Sequence, residues 1–367
     1  MSETINMLTE NIDSVVNDID PKYLRGLNLT GRHGYISQGY NGSTSTVAVL
    51  DTGVNPDHPE LKGKVVGNLN YVNYRYDFDD HGHGTHCAAT IAGTNVGVAP
   101  GTKILSVKVL AGDGGGDIDK IIQALEDLKD WRTEDGRKLS AISMSLGIAK
   151  RFLNADQIQR FEKAVKALTM FDIPVICSAG NTGIYEDRYP AAIYDTITVG
   201  AVDAENLQPA GFTTHNKEVD VAQVGVDVLS AWYKGRYAVM SGTSMATPKV
   251  AGIASLISDK FYQVFGEHMP ELVMYWMLRL NTKDIGDSGL CVKTGAGFCT
   301  LQPVLLDLKT KKGNDIMILN GEDVQMRAPI KVVSPGVTSL PARELVETCL
   351  GGDVTFDEES GWARFRL

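Results

Sequence analysis

Short segments rich in Val and Ile alternate with amphipathic segments through the middle of the chain. The apolar segments are nearly continuous, which is typical of strands buried on both faces of a sheet, and lie at 46–53, 103–110, 141–147, 173–181 and 196–203. Between them, residues 117–131 and 155–171 have the 3.6-residue period of amphipathic helices. Strands that alternate with helices predict an α/β fold with a three-layer, doubly wound and mostly parallel sheet.

The N-terminal end has a different pattern. Its apolar residues recur at steps of three and four, which predicts a helix with one apolar face, and they are Ile5, Leu8, Ile12, Val15, Val16 and Ile19. The predicted helix covers 5–19 and ends near Asp20–Pro21, within an N-terminal extension that we place at 1–24.

The pattern changes again after about residue 303. A polar segment at 304–313 is predicted as a linker, and residues 314–367 have an apolar set of their own. The Asn320–Gly321 pair favours a hairpin, and a short helix over 341–350 and a final hairpin are predicted to follow. We therefore expect a small α+β domain after a large domain at 25–303.

Composition narrows the classes of partner. The chain has 367 residues, of which 43% are hydrophobic, and a net charge of −10, so it is a poor candidate for binding nucleic acid. No apolar run reaches the length of a membrane span. The N-terminal residues lack the basic and apolar regions of a secretory signal, which favours a cytoplasmic location over secretion by another route or carriage by a phage.

The cysteines argue against a disulfide framework. Their number is odd, no CxxC spacing occurs, and they are Cys87, Cys177, Cys291, Cys299 and Cys349. We expect free thiols in a reducing compartment and no structural zinc, with Cys291 and Cys299 as the nearest candidates for a pair.

One serine lies where a nucleophile would be activated. Ser244 in SGTSMATPKVAG (241–252) is followed by a predicted helix, whose free N–H groups favour developing negative charge. A serine hydroxyl needs a base within hydrogen-bond reach and a third group that orients the base. Histidine suits the first role, and Asp51, at the end of a buried strand, suits the second.

The segment DDHGHGTHC (79–87) holds three of the seven histidines in the chain. A zinc site would need a third and a fourth ligand in an open pocket, and nothing outside the segment supplies an obvious partner. The alternative is one working imidazole, His83, on a helix that His86 helps to seat. Asp79 and Asp80 are then interpreted as a solvated helix start, with tuning of the pKa of the base as the alternative.

Three motifs resemble those of the subtilisin-like serine proteases, the subtilases of peptidase family S8. They occur in that family's order of Asp, His and Ser motifs and read VLDTGVNPDHPEL, GHGTHCA and SGTSMATPKVAG. The resemblance covers about residues 25–303 and implies a subtilisin-like fold. It also implies a serine endopeptidase, with Asp51 as the orienting residue, His83 as the general base and Ser244 as the nucleophile. Such an enzyme would hydrolyse extended or unfolded polypeptides through an acyl-enzyme, and it could process itself.

The resemblance implies substrate-binding residues as well. SAGN (178–181) is similar to the subtilase oxyanion segment, in which Asn181 would donate to the tetrahedral oxyanion. SLG (145–147) is similar to the strand that pairs with an extended substrate and forms one wall of the pocket for the residue before the scissile bond. GDGGGD (112–117) would form the opposite edge of the cleft. The residues implied to bind substrate are Ser145, Leu146, Gly147, Ser178, Ala179 and Gly180.

The family pattern implies no cofactor for the chemistry, with calcium at most as a structural ion. The segment AATIAGTNVGVAP lacks the longer loop that holds the high-affinity calcium ion of secreted subtilisins, so we expect that site to be absent. A weaker family site, for calcium or a monovalent ion, maps to Pro190, Ala192 and Asp220. Cys87 follows His86 as in the proteinase K-like branch, whose cysteine lies under the catalytic histidine.

The two ends carry resemblances of their own. Intracellular subtilisins have a short inhibitory extension, and residues 1–24 would act as such a pro-segment, although that group's usual processing motif is missing. Residues 314–367 resemble the small domain named after the N-terminal region of copper amine oxidases, which would mediate binding or self-association or simply stabilise the chain. Two other functions stay open, namely a catalytically silent binding protein and a metal-dependent hydrolase.

Overall fold

A computed structural model describes residues 5–8, 11–72, 76–285 and 291–301, and the strand backbones that lie between 307 and 366. The chain forms two compact units, Met1–Gln302 and Pro303–Leu367. None of the helices among the described residues is long and apolar enough to cross a membrane.

The first unit contains strands and helices in alternation. Its strands are β1 (Ile5–Asn6), β2 (Asn11–Val16), β3 (Thr46–Asp51), β4 (Val65–Asn70), β5 (Lys103–Lys108), β6 (Gly115–Gly116), β7 (Ala141–Met144), β8 (Ile148–Ala149), β9 (Val175–Ser178), β10 (Arg188–Tyr189), β11 (Ile197–Val202), β12 (Val219–Val224), β13 (Val228–Trp232), β14 (Arg236–Ser241), β15 (Thr282–Lys283) and β16 (Phe298–Cys299). Its α-helices are α1 (Arg25–Leu29), α2 (Arg32–Ile36), α3 (His83–Ala92), α4 (Ile118–Leu128), α5 (Ala155–Met170), α6 (Thr243–Phe265) and α7 (Glu271–Leu280).

The main sheet confirms the predicted α/β fold. Its nine strands lie in the order β15-β16-β12-β11-β9-β7-β3-β5-β4, and all neighbours are parallel except β15 and β16. The chain places β5 on one side of β3 and then β7 on the other, so the strand order reverses at β3. Ligands of such sheets bind outside the carboxyl ends of the strands at this reversal, and Asp51 is the last residue of β3.

Helices cover both faces of this sheet. Ala48 and Leu50 of β3 belong to a core that also contains Ile121 of α4 and Val165 of α5. Neighbouring strand residues point to opposite faces, and helices α3 and α6 contact the sheet as well. The predicted helices at 117–131 and 155–171 are confirmed as α4 and α5, which begin at side-chain caps from Asp117 and from Asn154.

The helix predicted over 5–19 is wrong. Residues 11–16 form β2, which pairs antiparallel with β14 beside β13, and residues 5–6 form β1, which pairs with β6. The apolar face that the pattern suggested is not buried, because Ile12 is 48% exposed and Val15 is 37% exposed. β-Branched residues lose side-chain freedom in a helix, and the edge of β14 offers their backbone a hydrogen-bonding partner.

The second unit contains an antiparallel sheet. Its strands are β17 (Asp307–Lys311), β18 (Ile316–Leu319), β19 (Glu322–Gln325), β20 (Val332–Ser334), β21 (Val337–Thr338), β22 (Asp353–Asp357) and β23 (Trp362–Arg366). Five of them form a sheet in the order β19-β18-β17-β23-β22, while β20 pairs with β21. The strands on either side of Asn320–Gly321 and the final hairpin are confirmed, while the helix predicted at 341–350 lies outside the described residues.

The linker predicted at 304–313 is wrong over residues 307–311. This charged segment forms β17, which pairs with β18 and with β23. An antiparallel sheet accepts polar residues on a solvated face, so the charges that suggested a linker are compatible with a strand.

Candidate active site

Asp51 and His83 form a fully buried pair. Asp51 ends β3, His83 is the first residue of α3, and neither side chain is exposed. His83 Nδ1 lies 2.8 Å from Asp51 Oδ1 and 2.9 Å from Oδ2. The Thr52 N–H donates to Asp51 Oδ1 at 2.7 Å, which holds the carboxylate in place. The pair can therefore keep the imidazole in one orientation and one tautomer.

Ser244 lies beside this pair, at the start of α6. Its Oγ donates to the Ser145 carbonyl at 3.1 Å, and Ser145 Oγ donates to the Ser244 carbonyl at 2.9 Å. Cys87 Sγ lies 4.0 Å from His83 Nδ1 and 3.6 Å from the Ser244 carbonyl oxygen. The structure thus brings Asp51, His83 and Ser244 to one place and confirms that Cys87 lies under His83.

Asn181 is held by the residue that precedes Ser244. Its Oδ1 accepts from the Thr243 N–H and from Thr243 Oγ1, each at 2.9 Å. Thr243 Oγ1 also accepts from the Gly180 N–H at 3.0 Å. Fixing the amide oxygen fixes the whole side chain, so the Asn181 NH2 group is presented on the side away from Thr243.

The predicted substrate-binding residues follow two neighbouring strands. Ser145, Leu146 and Gly147 come directly after β7, and the segment from Ser178 at the end of β9 leads through Ala179 to Gly180. Strands β7 and β9 are adjacent and parallel, so both segments leave the sheet at the same edge. The sheet therefore brings the predicted wall at 145–147 and the predicted substrate-binding segment 178–180 to the same edge, where the two segments can form two walls of one pocket.

Asp79 is not part of a solvated helix start, and this prediction is wrong. One of its oxygens accepts from Thr52 Oγ1 and from the N–H groups of His81 and Gly82, and the other accepts from Thr85 N–H and Oγ1. These bonds tie the start of α3 to the residue after Asp51. The signal in the sequence was a Thr directly after a strand-end Asp, which the prediction of a solvated helix start overlooked.

Asp80 also has a partner, a buried lysine. Its Oδ1 lies 2.6 Å from the Nζ of Lys108, a side chain with no exposed surface, and Lys108 also donates to the Thr52 carbonyl. Burial of an unpaired ammonium group destabilises the folded state, and the ion pair with Asp80 offsets this cost for Lys108. The two leading carboxylates of the segment 79–87 therefore stabilise the residues directly before α3 and tie them to Thr52, after β3, and to Lys108, at the end of β5.

The other histidines of the segment have partners of their own. His86 Nε2 lies 3.1 Å from the Val228 carbonyl and 3.2 Å from the Ala238 carbonyl, and burial lowers the pKa of His86 to about 3. Its ring is thus neutral and bridges α3 to β13 and β14. The ring of His81 packs edge-on against Trp232, at 6.0 Å between centroids.

The described residues contain one group that could hold a metal ion. The ligand atoms of Asp51, His83 and Cys87 lie within 4.8 Å of one another. Burial raises the pKa of the Cys87 thiol, so the thiolate that a metal prefers is disfavoured. Both Asp51 oxygens are already within hydrogen-bond distance of His83 Nδ1. The arrangement therefore fits proton transfer better than metal binding.

Comparison with known proteins identifies the family. The model of the subtilase family, Peptidase S8, matches residues 42–297 and thus most of the chain, including all three motifs. The chain belongs to the subtilase family. The matched range leaves the N-terminal extension and the second unit of this subtilase outside it.

Several relatives of this subtilase are named as proteases. An intracellular serine protease of Paenibacillus polymyxa is 38% identical over 257 residues, which cover 66% of this chain and 75% of that protein. The major intracellular serine protease of Bacillus subtilis is 34% identical over 258 residues, 66% of this chain and 77% of that protein. Subtilisin-like protease 2 of Pseudogymnoascus destructans is 39% identical over 231 residues, 62% of this chain. The chain spans about half (55%) of the length of this fungal relative.

The subtilase domain places a protein cation where the ion site was predicted. Asp220 Oδ1 accepts from Arg279 Nη1 at 2.8 Å and from the Tyr275 hydroxyl at 3.0 Å, and both charged side chains are less than a tenth exposed. Asp220 Oδ2 accepts from a backbone N–H at 2.9 Å. Asp220, the carboxylate of the expected ion site, thus already has a cationic partner in Arg279, and the site at Pro190, Ala192 and Asp220 stays a prediction.

Four cysteines are free thiols. Burial raises the pKa of Cys177 and of Cys299, which keeps both in the thiol form. Cys291 and Cys299, the nearest candidates for a pair, are both free. Cys349 lies outside the described residues.

Proposed function

We propose that this subtilase is a serine endopeptidase in which Ser244 is the nucleophile, His83 the general base and Asp51 the residue that orients the base. The observation that carries the proposal is the buried contact of His83 Nδ1 with Asp51, at 2.8 Å, next to Ser244 at the start of α6. No cofactor takes part in the proposed chemistry.

Each residue has a defined task in the proposed reaction. The Nδ1–H group of His83 donates a hydrogen bond to Asp51 and keeps its proton, which leaves Nε2 to accept the proton of Ser244 Oγ. Ser244 Oγ then attacks the scissile carbonyl, and the imidazolium, stabilised by Asp51, protonates the leaving amine. A water that His83 activates hydrolyses the resulting acyl-enzyme.

Asn181 would stabilise the negative oxygen of the tetrahedral intermediate. Because Thr243 donates to the Asn181 Oδ1 atom, the NH2 group is oriented away from Thr243, where it could donate to a substrate oxygen. The Ser244 N–H at the start of α6 would be the second donor, in the positive field of the helix. Loss of one such donor typically slows the reaction by about 10²–10³-fold.

Substrates would bind as added strands. The chain's own N-terminal segment supports this, since Ile5–Asn6 pairs with Gly115–Gly116 and the Gly147 N–H donates to the Met7 carbonyl at 3.4 Å. An extended peptide therefore fits between the edge at 112–117 and the wall at 145–147. Strand addition demands an extended backbone, which favours unfolded polypeptides and mobile loops as substrates.

The test compares the wild type with Ser244→Ala, which removes only the nucleophilic oxygen. We expect the wild type to degrade casein and Ser244→Ala to lose this activity, with unchanged far-ultraviolet circular dichroism as the control for folding. Activity that survives exhaustive chelation of zinc separates this enzyme from a metal-dependent hydrolase. A wild type that leaves casein intact would instead support a binding protein on a subtilase fold.

We also propose that residues 1–24 inhibit the enzyme until they are displaced. Met7 is 2% exposed, and its backbone bonds to the Gly114 carbonyl on one side and to the Gly147 N–H on the other. Further along the segment, Asp13 accepts a hydrogen bond at 2.8 Å from the Oγ atom of Ser241. Ser241 lies three residues before Ser244 in the chain. A segment with these contacts occupies the backbone groups that a substrate strand would use.

The second unit would act as a binding or self-association module, as its resemblance to the small domain of copper amine oxidases implies. Its five-stranded sheet ends in β19 and β22, and unpaired strand edges are surfaces to which another chain can add. We expect the full chain to elute in a larger assembly, or to bind more protein, than a chain that ends at residue 302. Equal elution and equal binding would leave only a stabilising role, which thermal melting of both chains measures.

A further inference from the structure

A buried arginine lies between the two walls of the predicted substrate pocket. Arg188, on β10, is 8% exposed, and its strand pairs with Ile148–Ala149, directly after the wall at 145–147. Its Nη2 donates to the Gly147 carbonyl at 2.8 Å. A Cβ atom added to Gly180, on the other wall, would lie 2.5 Å from Arg188 Cδ and 2.8 Å from Nε. The side chain thus contacts both walls.

Arg188 shares its carboxylate partner with a second arginine. Its Nη1 lies 3.1 Å from Glu186 Oε2, while the other oxygen of Glu186 is bound by Arg151. The hydrogen bonds from both guanidinium groups hold the pKa of Glu186 below its ordinary value, against the effect of burial. One carboxylate therefore serves two guanidinium groups, so Glu186 does not pair with Arg188 alone.

One donor of Arg188 has no acceptor in the described part of the chain. Arg188 Nε is buried and has no hydrogen-bond partner among the described residues. A buried donor without a partner is costly, and a charged one more so, which means that an acceptor brought by a ligand would be bound strongly. A carboxylate is the acceptor that best matches the planar guanidinium.

We propose that Arg188 makes the pocket selective for substrates with an acidic side chain, above all glutamate, at the residue before the scissile bond. The proposal rests on the proposed function, because it concerns the same cleft. A Glu side chain that enters the pocket meets the guanidinium of Arg188 between the two walls. An apolar side chain of the same size would leave the guanidinium desolvated and its Nε without an acceptor.

A purely structural role for Arg188 makes a different prediction. The bonds to Gly147 and Glu186 could simply brace the loop that joins Asn181 to β10. Loss of such a brace would slow the cleavage of every substrate by a similar factor. Loss of a selectivity residue would change the ratio between two substrates that differ only in charge.

The experiment uses the full chain, incubated until its rate of peptide hydrolysis is constant. The substrates are blocked tetrapeptide anilides that differ only in having Glu or Gln before the cleaved bond. These side chains have the same shape, so the ratio of their kcat/KM values reports charge recognition. We expect the wild type to favour Glu at least about tenfold, the effect of one charge-assisted hydrogen bond. Arg188→Gln should bring the ratio close to one, and Arg188→Lys should keep part of it. The matched control is Arg151→Gln, which removes the other guanidinium bound to Glu186 and should keep the preference.

The outcomes separate this proposal from the proposed function. A wild type that cleaves casein but shows no preference for Glu over Gln overturns the selectivity of Arg188 and leaves the protease intact. The same conclusion follows if Arg188→Gln slows both peptides equally. A wild type that cleaves neither casein nor any anilide contradicts the proposed function itself. If Arg188→Gln does not fold, two measurements on the wild type still test the proposal. They are the ratio of the kcat/KM values for Glu and Gln, and the identity of the residues that precede the cleaved bonds in digested casein.

Discussion

Two buried lysines of this fold, Lys108 and Lys249, differ in whether a carboxylate pairs with them. Lys108 is paired with Asp80, which lies three residues before His83. Lys249 in α6 is 3% exposed and donates to the Val224 carbonyl at 2.9 Å, and no carboxylate pairs with it among the described residues. Burial lowers the pKa of Lys249 from 10.5 to about 7, which makes its charge a cost to the fold.

Lys249 should make stability rise with pH. Between pH of about 7 and 10.5 the unfolded chain binds the Lys249 proton while the folded chain has lost it, so the free energy of unfolding increases across this window. Lys249→Met should be more stable than the wild type at pH 7, by an amount on the order of a few kcal/mol. The difference should shrink as the pH approaches 10.

Urea unfolding of both chains at pH 7, 8 and 9 measures this effect, because the difference between them cancels the titration of other groups. Lys108→Met is the contrasting variant, and it should lose stability since Asp80 is left without its cation. A Lys249→Met chain that is less stable than the wild type at pH 7 would contradict the role given to burial.

Some residues of the site could be predicted from the sequence and some could not. Asp51, His83, Asn181 and Ser244 lie in contiguous motifs whose chemistry is local, and the structure brings them together. Arg188 belongs to no motif, and its place depends on the pairing of β8 with β10 across about forty residues of chain. Contacts that long-range pairing creates leave no local pattern to read.

At the scale of elements, the buried strands of the main sheet are the best-predicted part of the fold. Their apolar runs reflect burial on both faces, which holds whatever the neighbouring strand is. The N-terminal segment shows the opposite case. Its spacing suggested a helix, but its conformation depends on the open edge of β14, which lies more than two hundred residues away. The secondary structure of a short segment with an ambiguous period is therefore determined by the element with which it pairs.

Removal of the N-terminal segment should activate the enzyme. A chain that starts at residue 19 lacks β1 and β2 and keeps the helices that follow, so its cleft should be open. We expect faster initial hydrolysis of casein than by the full chain, without the lag that self-processing produces. A second variant, Met7→Asp, should also raise the initial rate of casein hydrolysis, because it puts a charge at a position that is 2% exposed.

Initial rates measured directly after purification, with mass spectrometry of the N-terminus, decide this point. Equal initial rates for the full and the shortened chain, with no change at the N-terminus during incubation, would contradict the inhibitory role. A shortened chain that unfolds at a lower temperature yet cleaves no faster would assign these strands to stability alone.

At the scale of the whole molecule, the chain joins a subtilase unit to a second unit that the family model does not cover. The subtilase sheet places the Asp, the Asn and the nucleophile-bearing helix at one edge because parallel strands end together there. The second unit has paired strands where hairpins were expected, but its charged first strand was predicted as a linker. Charge alone does not distinguish a solvated strand from a linker.

Ser244 as the activated nucleophile of a serine endopeptidase is the central claim about this protein. The most direct measurement is labelling with phenylmethanesulfonyl fluoride, followed by peptide mass mapping, on the full chain and on the chain that starts at residue 19. We expect one adduct per chain, on Ser244, together with loss of casein hydrolysis, and no adduct in Ser244→Ala. An adduct on another residue, or casein hydrolysis that continues without any adduct on Ser244, would contradict the claim.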